Sequence, residues 1–325
     1  MTSRHLVDPE LLGLLDREDW LDLDAAALPS ARARLAALTA ASAAPGIAPE
    51  VVHVARGDAP PLALRIFRPP APAATPCPAV YEIHGGGFVL GSAAMSDIAN
   101  AARAIRHGCV VVSVDYRLAP EAPFPAPLED CHAGLVWLAA NAAMLAIDPA
   151  RIVIVGESAG GGLAAALAML VRDRGGPAPA GQFLTYPMLD HRTGTADDPY
   201  ANPVTGEFRW NRASNRFGWA AMRGADEIAA ARLPWFSPAR ATDLAGLPPT
   251  FIAVGALDLF LDEDMAFAAL LWQAGVEVEA HVYPGAFHGF DLVAEAGVAR
   301  RFRQDADRAL ARMLGASLHQ GVATA

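Results

Sequence analysis

The chain has 325 residues, 53% of them hydrophobic, and a net charge of −10 at pH 7 with a pI near 5.3. That length can bury a large core, and α/β sheets of this size often stand as one domain, here taken as residues 1–325. The acidic balance argues against nucleic acid or an acidic membrane surface as a partner, and the basic residues are all Arg, so a Schiff-base lysine, a Ser-x-x-Lys hydrolase and a Gly-Lys-Ser/Thr phosphate loop are excluded.

Residues 1 to about 44 carry Leu and Ala at helical spacing, and Ala44-Pro45-Gly46 ends that pattern. Val51–Ala55 and Leu62–Arg68 read as a pair of strands around the turn residues Gly57, Asp58, Pro60 and Pro61. Pro69–Pro78 reads as a loop. Strand-like apolar runs follow at Val80–Ile83, Cys109–Val114, Arg151–Val155, Gln182–Tyr186, Thr250–Val254 and Val278–Tyr283. Helical stretches fall at about 96–107, 126–142, 158–173, 262–274 and 300–315. This alternation predicts a mostly parallel, eight-stranded sheet with helices on both faces. Glu82 breaks the apolar rule for a buried strand, and is expected to face a polar pocket wall. Residues 190 to about 235 are too long for an ordinary connection. They read as a helical insertion that, with residues 1–45, caps one end of the sheet. Trp210, Phe217, Trp219 and Trp235 could line its pockets, or pack its core.

Cys77, Cys109 and Cys131 are odd in number and lack metal-ligand spacing. They predict neither a disulfide framework nor a metal site, and they fit a reducing cytoplasm. The acidic stretch Met1–Asp24 lacks the basic start and apolar core of a signal peptide. No apolar run reaches membrane-spanning length; Leu163–Val171 is too short.

Gly156-Glu157-Ser158-Ala159-Gly160 joins a predicted strand to a predicted helix. That is the setting of a nucleophile elbow, with Ser158 projecting from the carboxyl end of the sheet near a helix N-terminus. A five-residue match arises easily by chance, so a second motif matters. His84-Gly85-Gly86-Gly87-Phe88 follows another strand. Its glycines let backbone N–H groups approach a ligand closely, as an oxyanion hole requires. Gly85, Gly86 and Ala159 are the candidate donors. A dinucleotide loop is excluded because Leu90 occupies the third glycine position. His288, in Pro284-Gly285-Ala286-Phe287-His288-Gly289-Phe290, is the candidate base on a loop after the last strand. His281 is its rival but falls within the strand. Asp258 follows the strand at 250–254 and would orient the imidazole. Asp262, Glu263 and Asp264 are expected to cap and charge the next helix.

With Ser158, Asp258 and His288 in that order, the two glycine motifs resemble those of the hormone-sensitive-lipase-like (bacterial family IV) esterases. Asp115-Tyr116-Arg117-Leu118-Ala119-Pro120-Glu121, Tyr186-Pro187, Leu247-Pro248-Pro249 and Asp262-Glu263 extend the resemblance over roughly residues 50–300. It implies an α/β-hydrolase fold and a serine carboxylesterase for short- to medium-chain acyl esters. It also implies no cofactor and frequent homodimers. By the same resemblance Ser158 is the nucleophile, His288 the base and Asp258 its partner. Gly85, Gly86 and Ala159 hold the oxyanion, while His84 and Gly87 support the loop. Glu157, Gly162 and Leu259 stand where Asp, Asn and Pro are usual. Two other readings are an amide or carbamate hydrolase, and a non-catalytic ligand-binding protein on the same scaffold. The plant gibberellin receptors, which resemble this family but lack the histidine, are of the second kind.

Overall fold

A computed structural model of the chain describes residues 2–16, 22–42, 46–57, 59–200 and 202–315. Ala44 and Pro45 of the expected helix break, and Asp58 of the expected turn, lie outside them. The strands are β1 (Glu50–Arg56), β2 (Ala59–Phe67), β3 (Cys77–Ile83), β4 (Val110–Asp115), β5 (Ile147–Glu157), β6 (Gly181–Thr185), β7 (Thr250–Gly255) and β8 (Val278–Tyr283). They form one sheet in the order β1-β2-β4-β3-β5-β6-β7-β8. β2 pairs antiparallel with β1 and β4, and the other neighbours are parallel. This is the expected mostly parallel sheet of eight.

The major helices are α1 (Leu28–Ala40), α2 (Asp97–His107), α3 (Ala126–Ala140), α4 (Ala159–Arg174), α5 (Arg212–Arg223), α6 (Leu261–Gln273) and α7 (Gly297–Met313). Alternate side chains of each central strand enter opposite cores. Tyr81, Val112, Ile154, Leu184 and Ile252 meet α3, α4 and α6 on one face. Val80, Val111, Val153, Phe183 and Phe251 meet α2 and α7 on the other. The run Ile152-Val153-Ile154-Val155 is continuously apolar because both faces of its strand are covered. α4 lies in the core, with every residue from Ala159 to Val171 buried. The cysteines are free and buried, Cys77 on β3, Cys109 just before β4 and Cys131 on α3. No described helix is long and apolar enough to cross a membrane.

Three expectations need correction. The first 44 residues are not one helix. Short turns at Ser3–Leu6, Pro9–Leu11 and Leu12–Leu15 precede an unrelated α1. Asp8 accepts from the Glu10 N–H with Pro9 at the first helical position, so a new turn starts there. Glu82 does not face a pocket wall. It accepts hydrogen bonds from Ser96 Oγ (2.8 Å), Asn100 Nδ2 (3.2 Å) and Ser113 Oγ, an internal polar cluster joining β3, β4 and α2.

The third concerns the acidic start of α6. No side chain caps it. Asp262 accepts from Asn202 Nδ2 (2.9 Å). Glu263 is fully buried and accepts from the N–H groups of Leu189 (2.6 Å) and Asp190 (3.2 Å) and from Thr193 Oγ1. It therefore anchors the start of the insertion to α6. Asp264 is also buried, and neither of its carboxyl oxygens has a hydrogen-bond partner. Burial pushes both acids well above the ordinary carboxylate range.

Candidate active site

β5, β7 and β8 end at the same edge of the sheet because they run parallel, and the loops that follow them carry the predicted residues. Ser158 occupies the turn between β5 and α4 at φ 54° and ψ −123°, a conformation rare for a side-chain-bearing residue. Its N–H bonds the Thr185 carbonyl (2.9 Å), and its carbonyl accepts from Gly162 and Met188 (3.0 Å each). The turn closes only because residue 160 is glycine: a Cβ there would lie 2.1 Å from the Ile83 carbonyl oxygen.

His288 Nε2 lies 3.0 Å from Ser158 Oγ, and His288 Nδ1 lies 2.8 Å from Asp258 Oδ2. The other carboxylate oxygen of Asp258 accepts from the Phe260 N–H at 3.0 Å. The loops bearing Asp258 and His288 are tied by Leu257 N–H to the Ala286 carbonyl (2.8 Å) and Ala256 N–H to the Tyr283 carbonyl (2.9 Å). The N-terminal segment adds Asp8 N–H to the Gly285 carbonyl (3.0 Å). His281 is elsewhere, against Glu279 on β8 (2.7 Å).

The glycine loop runs alongside. A Cβ on Gly85 would lie 3.4 Å from Ser158 Cβ. Gly86 sits at φ 123°, and its carbonyl accepts from Val89 (3.1 Å) and Leu90 (2.8 Å), which curls the loop. Gly87 lies under the Trp210 ring. His84 Nδ1 is 2.7 Å from the Gly85 carbonyl, and its ring stacks on Tyr116 at 4.3 Å. Burial lowers the pKa of His84, so the neutral ring donates from Nδ1. Tyr116 donates to the His84 carbonyl (2.9 Å), and Arg117 grips buried Asp130 (2.7 Å). The Asp115–Glu121 segment is thus a brace behind the loop. Arg32 of α1 closes it from outside, bonding Val89 O and Ala119 O (2.8 Å each) and Glu121. Ala159 opens α4, and the first N–H groups of a helix lack intrahelical partners.

The structure therefore brings Ser158, His288 and Asp258 together, with Gly85 and Ala159 next to Ser158 and with His84, Gly86 and Gly87 on the same loop as Gly85. It also adds two residues to which the sequence reading gave no role at the site. Tyr186, at φ 35°, sets its ring 4.6 Å from His288 and donates to Asp291 Oδ1 (2.9 Å). Phe260 meets the imidazole edge-on at 5.3 Å. The strained φ at Tyr186 has no sequence signal, since aromatic residues there usually read as strand ends.

The insertion aromatics divide. Trp210 stands at the site, 6.4 Å from His288, and donates to Asn215 Oδ1 (3.1 Å). Phe217 packs with Leu23, Leu28 and Val89. Trp219 is buried between Phe88 and Phe236. Trp235 is outside, bonding Asp173 (2.9 Å) under Arg174.

A family model described as the alpha/beta hydrolase fold matches residues 80–292. The chain belongs to the α/β-hydrolase family. Among curated relatives, the hydrolase is 35% identical to the esterase LipI of Mycobacterium tuberculosis over 95% of this chain and 94% of that protein. It is 37% identical to the carboxylesterase NlhH of the same species, over 89% of this chain and 90% of that one. Among solved structures, a bacterial heroin esterase superposes with a TM-score of 0.86 at 37% identity, covering 96% and 99% of the two chains. The esterase LipW of Mycobacterium marinum gives 0.81 at 34%, covering 95% and 96%. The hormone-sensitive-lipase-like resemblance read from the two glycine motifs is borne out at the family level.

Glu157 gives this hydrolase a pH signature. Burial, then the negative charges of Asp291 and Glu82, push its carboxyl up to about 8 from its ordinary value near 4.5. Between those values the folded state holds a proton that the unfolded chain has released. The contribution of Glu157 to stability then falls as pH rises from about 4.5 towards about 8. Glu157→Gln, which cannot ionise, should flatten that decline; denaturant midpoints taken across the window check it, and an unchanged slope refutes it.

Proposed function

We propose that this hydrolase is a carboxylesterase that cleaves short- to medium-chain acyl esters by two-step acyl transfer. The hydrogen-bonded run Asp258–His288–Ser158 beside the glycine loop carries this reading. In it, Asp258 holds the proton of His288 on Nδ1, which leaves Nε2 free to accept. Ser158 Oγ attacks the ester carbonyl as its proton passes to His288 Nε2. Negative charge on the carbonyl oxygen is received by the N–H groups of Gly85, Gly86 and Ala159, each worth roughly 3 kcal/mol in comparable sites. The C–O bond to the alcohol breaks as His288 delivers the proton to the departing oxygen. Water then attacks the acyl-enzyme, His288 takes its proton, and the acid leaves as Ser158 regains its hydrogen. Every group in this cycle is protein or water; no cofactor or metal takes part. His84 and Gly87 keep the loop in place.

In the same reading residues 1–325 are one domain, and residues 1–45 and 190–235 form its cap. Contacts between those segments support this: Leu23 N–H donates to Ser214 Oγ (3.0 Å), and Asn211 donates to Asp22. The three buried thiols support a cytoplasmic location, and a homodimer is expected, to be checked by sedimentation.

The test is a set of initial rates on 4-nitrophenyl esters from acetate to palmitate, with matched anilides alongside. Ester turnover that exceeds anilide turnover supports the carboxylesterase over an amide hydrolase. The absence of turnover on every ester overturns the reading and favours a ligand-binding scaffold.

A further inference from the structure

Beyond Trp219, the insertion forms a pocket of about 400 Å³ that is partly open to solvent. His191, Phe236, Ile228 and Leu233 line it on one side, with the charged Arg223, Asp226 and Glu227 around them. One side chain stands between this space and the loop beside Ser158. The Trp219 ring meets Phe88 edge-on at 4.9 Å on one side. On the other it meets Phe236 at 5.2 Å and His191 at 6.3 Å, both lining residues. α5 presses this ring into place because residue 218 is glycine: a Cβ there would lie 2.7 Å from the Gly87 carbonyl oxygen. Trp219 is only 3% exposed, yet its Nε1–H has no hydrogen-bond partner. An indole buried with its donor unmet is held there by its bulk, not by its polarity.

We propose that Trp219 is the stop that ends the acyl pocket, so that the enzyme prefers short acyl chains and removing the ring converts the cavity behind it into acyl space. This rests on the carboxylesterase reading above. The choice of the acyl side follows from the site's geometry. His288 must pass its proton to the departing alcohol, so the alcohol lies on the His288 side. The rings around His288 are Tyr186, Trp210 and Phe260. Trp219 makes no ring contact with any of these. Its ring neighbours are Phe88, which follows the glycines of the loop, and His191 and Phe236, and none of the three is a ring neighbour of His288. An acyl chain leaving the carbonyl in that direction passes Phe88 and meets the indole.

The experiment measures kcat/KM for 4-nitrophenyl acetate, butyrate, hexanoate and octanoate. The enzymes are wild type, Trp219→Ala, Trp219→Leu and Trp219→Phe, each checked by thermal melting. Wild type should favour acetate and butyrate. The octanoate-to-acetate ratio should rise by roughly tenfold or more in Trp219→Ala or Trp219→Leu, the scale of admitting methylenes that the ring now shuts out. Trp219→Phe keeps a smaller ring in the gap and removes the unmet donor, so its profile should stay closer to wild type than that of Trp219→Ala. An unchanged ratio in a folded Ala or Leu variant overturns the proposal. Wild type that turns over octanoate as well as acetate overturns it without any variant. A lack of Ser158-dependent turnover on all four esters instead refutes the carboxylesterase reading on which it stands.

Discussion

Ser158→Ala is expected to cut ester turnover by about a million-fold, the scale seen when an activated serine is removed from a comparable relay. The geometry explains why the loss should be nearly pure chemistry. Ser158 Oγ bonds His288 Nε2. The bonds that build the turn, to Thr185, Gly162 and Met188, all come from the Ser158 backbone. Alanine keeps the Cβ and those bonds, so the melting temperature should stay within a few degrees of wild type. Rates and melts of the two proteins, measured together, decide the matter. Turnover retained by a folded Ser158→Ala enzyme would remove the nucleophile from the mechanism.

Asp258→Asn should cost about ten-thousand-fold in kcat with little change in KM. The substitution is isosteric, and the Phe260 N–H still requires an acceptor at the position of Oδ1. The asparagine carbonyl oxygen satisfies it, which turns the amide NH2 towards His288. His288 Nδ1 must then accept rather than donate, and the ring proton moves to Nε2. A protonated Nε2 cannot take the proton of Ser158. Asp264 offers no rescue, because its carboxyl reaches no hydrogen-bond partner at all. A parallel fall in kcat and kcat/KM is the expected signature; a variant that loses affinity but keeps kcat would contradict the tautomer argument.

Much of this site can be read from the chain because its chemistry is local. The turn around Ser158 needs small residues at fixed offsets, and Gly156 and Gly160 announce it. The strand before it announces itself by four consecutive β-branched residues. The loop at Gly85–Gly87 shows its backbone role by having no side chains. Residues whose role depends on distant partners were less legible. Glu82 looks misplaced on β3 until Ser96, Asn100 and Ser113 are seen to converge on it. Glu263 looks like a helix-start charge, yet it bonds residues more than seventy positions away in sequence. The N-terminal region showed its helical spacing but hid its division, because the short turns depend on docking against the His288 loop. Trp210 and Trp219 are indistinguishable by composition; which neighbours each meets separates a wall of the site from the plug behind it.

The buried cysteines give the enzyme an internal reporter of its own integrity. A thiol reagent needs both access and thiolate, and the fold withholds both. Burial pushes Cys109 up to about 12 and Cys131 well above its ordinary range. Cys77 is 3% exposed on a central strand. Modification therefore has to wait for β3, β4 and α3 to open, which are the elements that also hold the glycine loop in place. Under native conditions the three sulfurs should label together, at a rate that follows denaturant concentration as cooperative opening does. Loss of ester turnover and uptake of label would then be two readings of one event. A single cysteine labelling far ahead of the others would locate a part of the sheet that opens by itself.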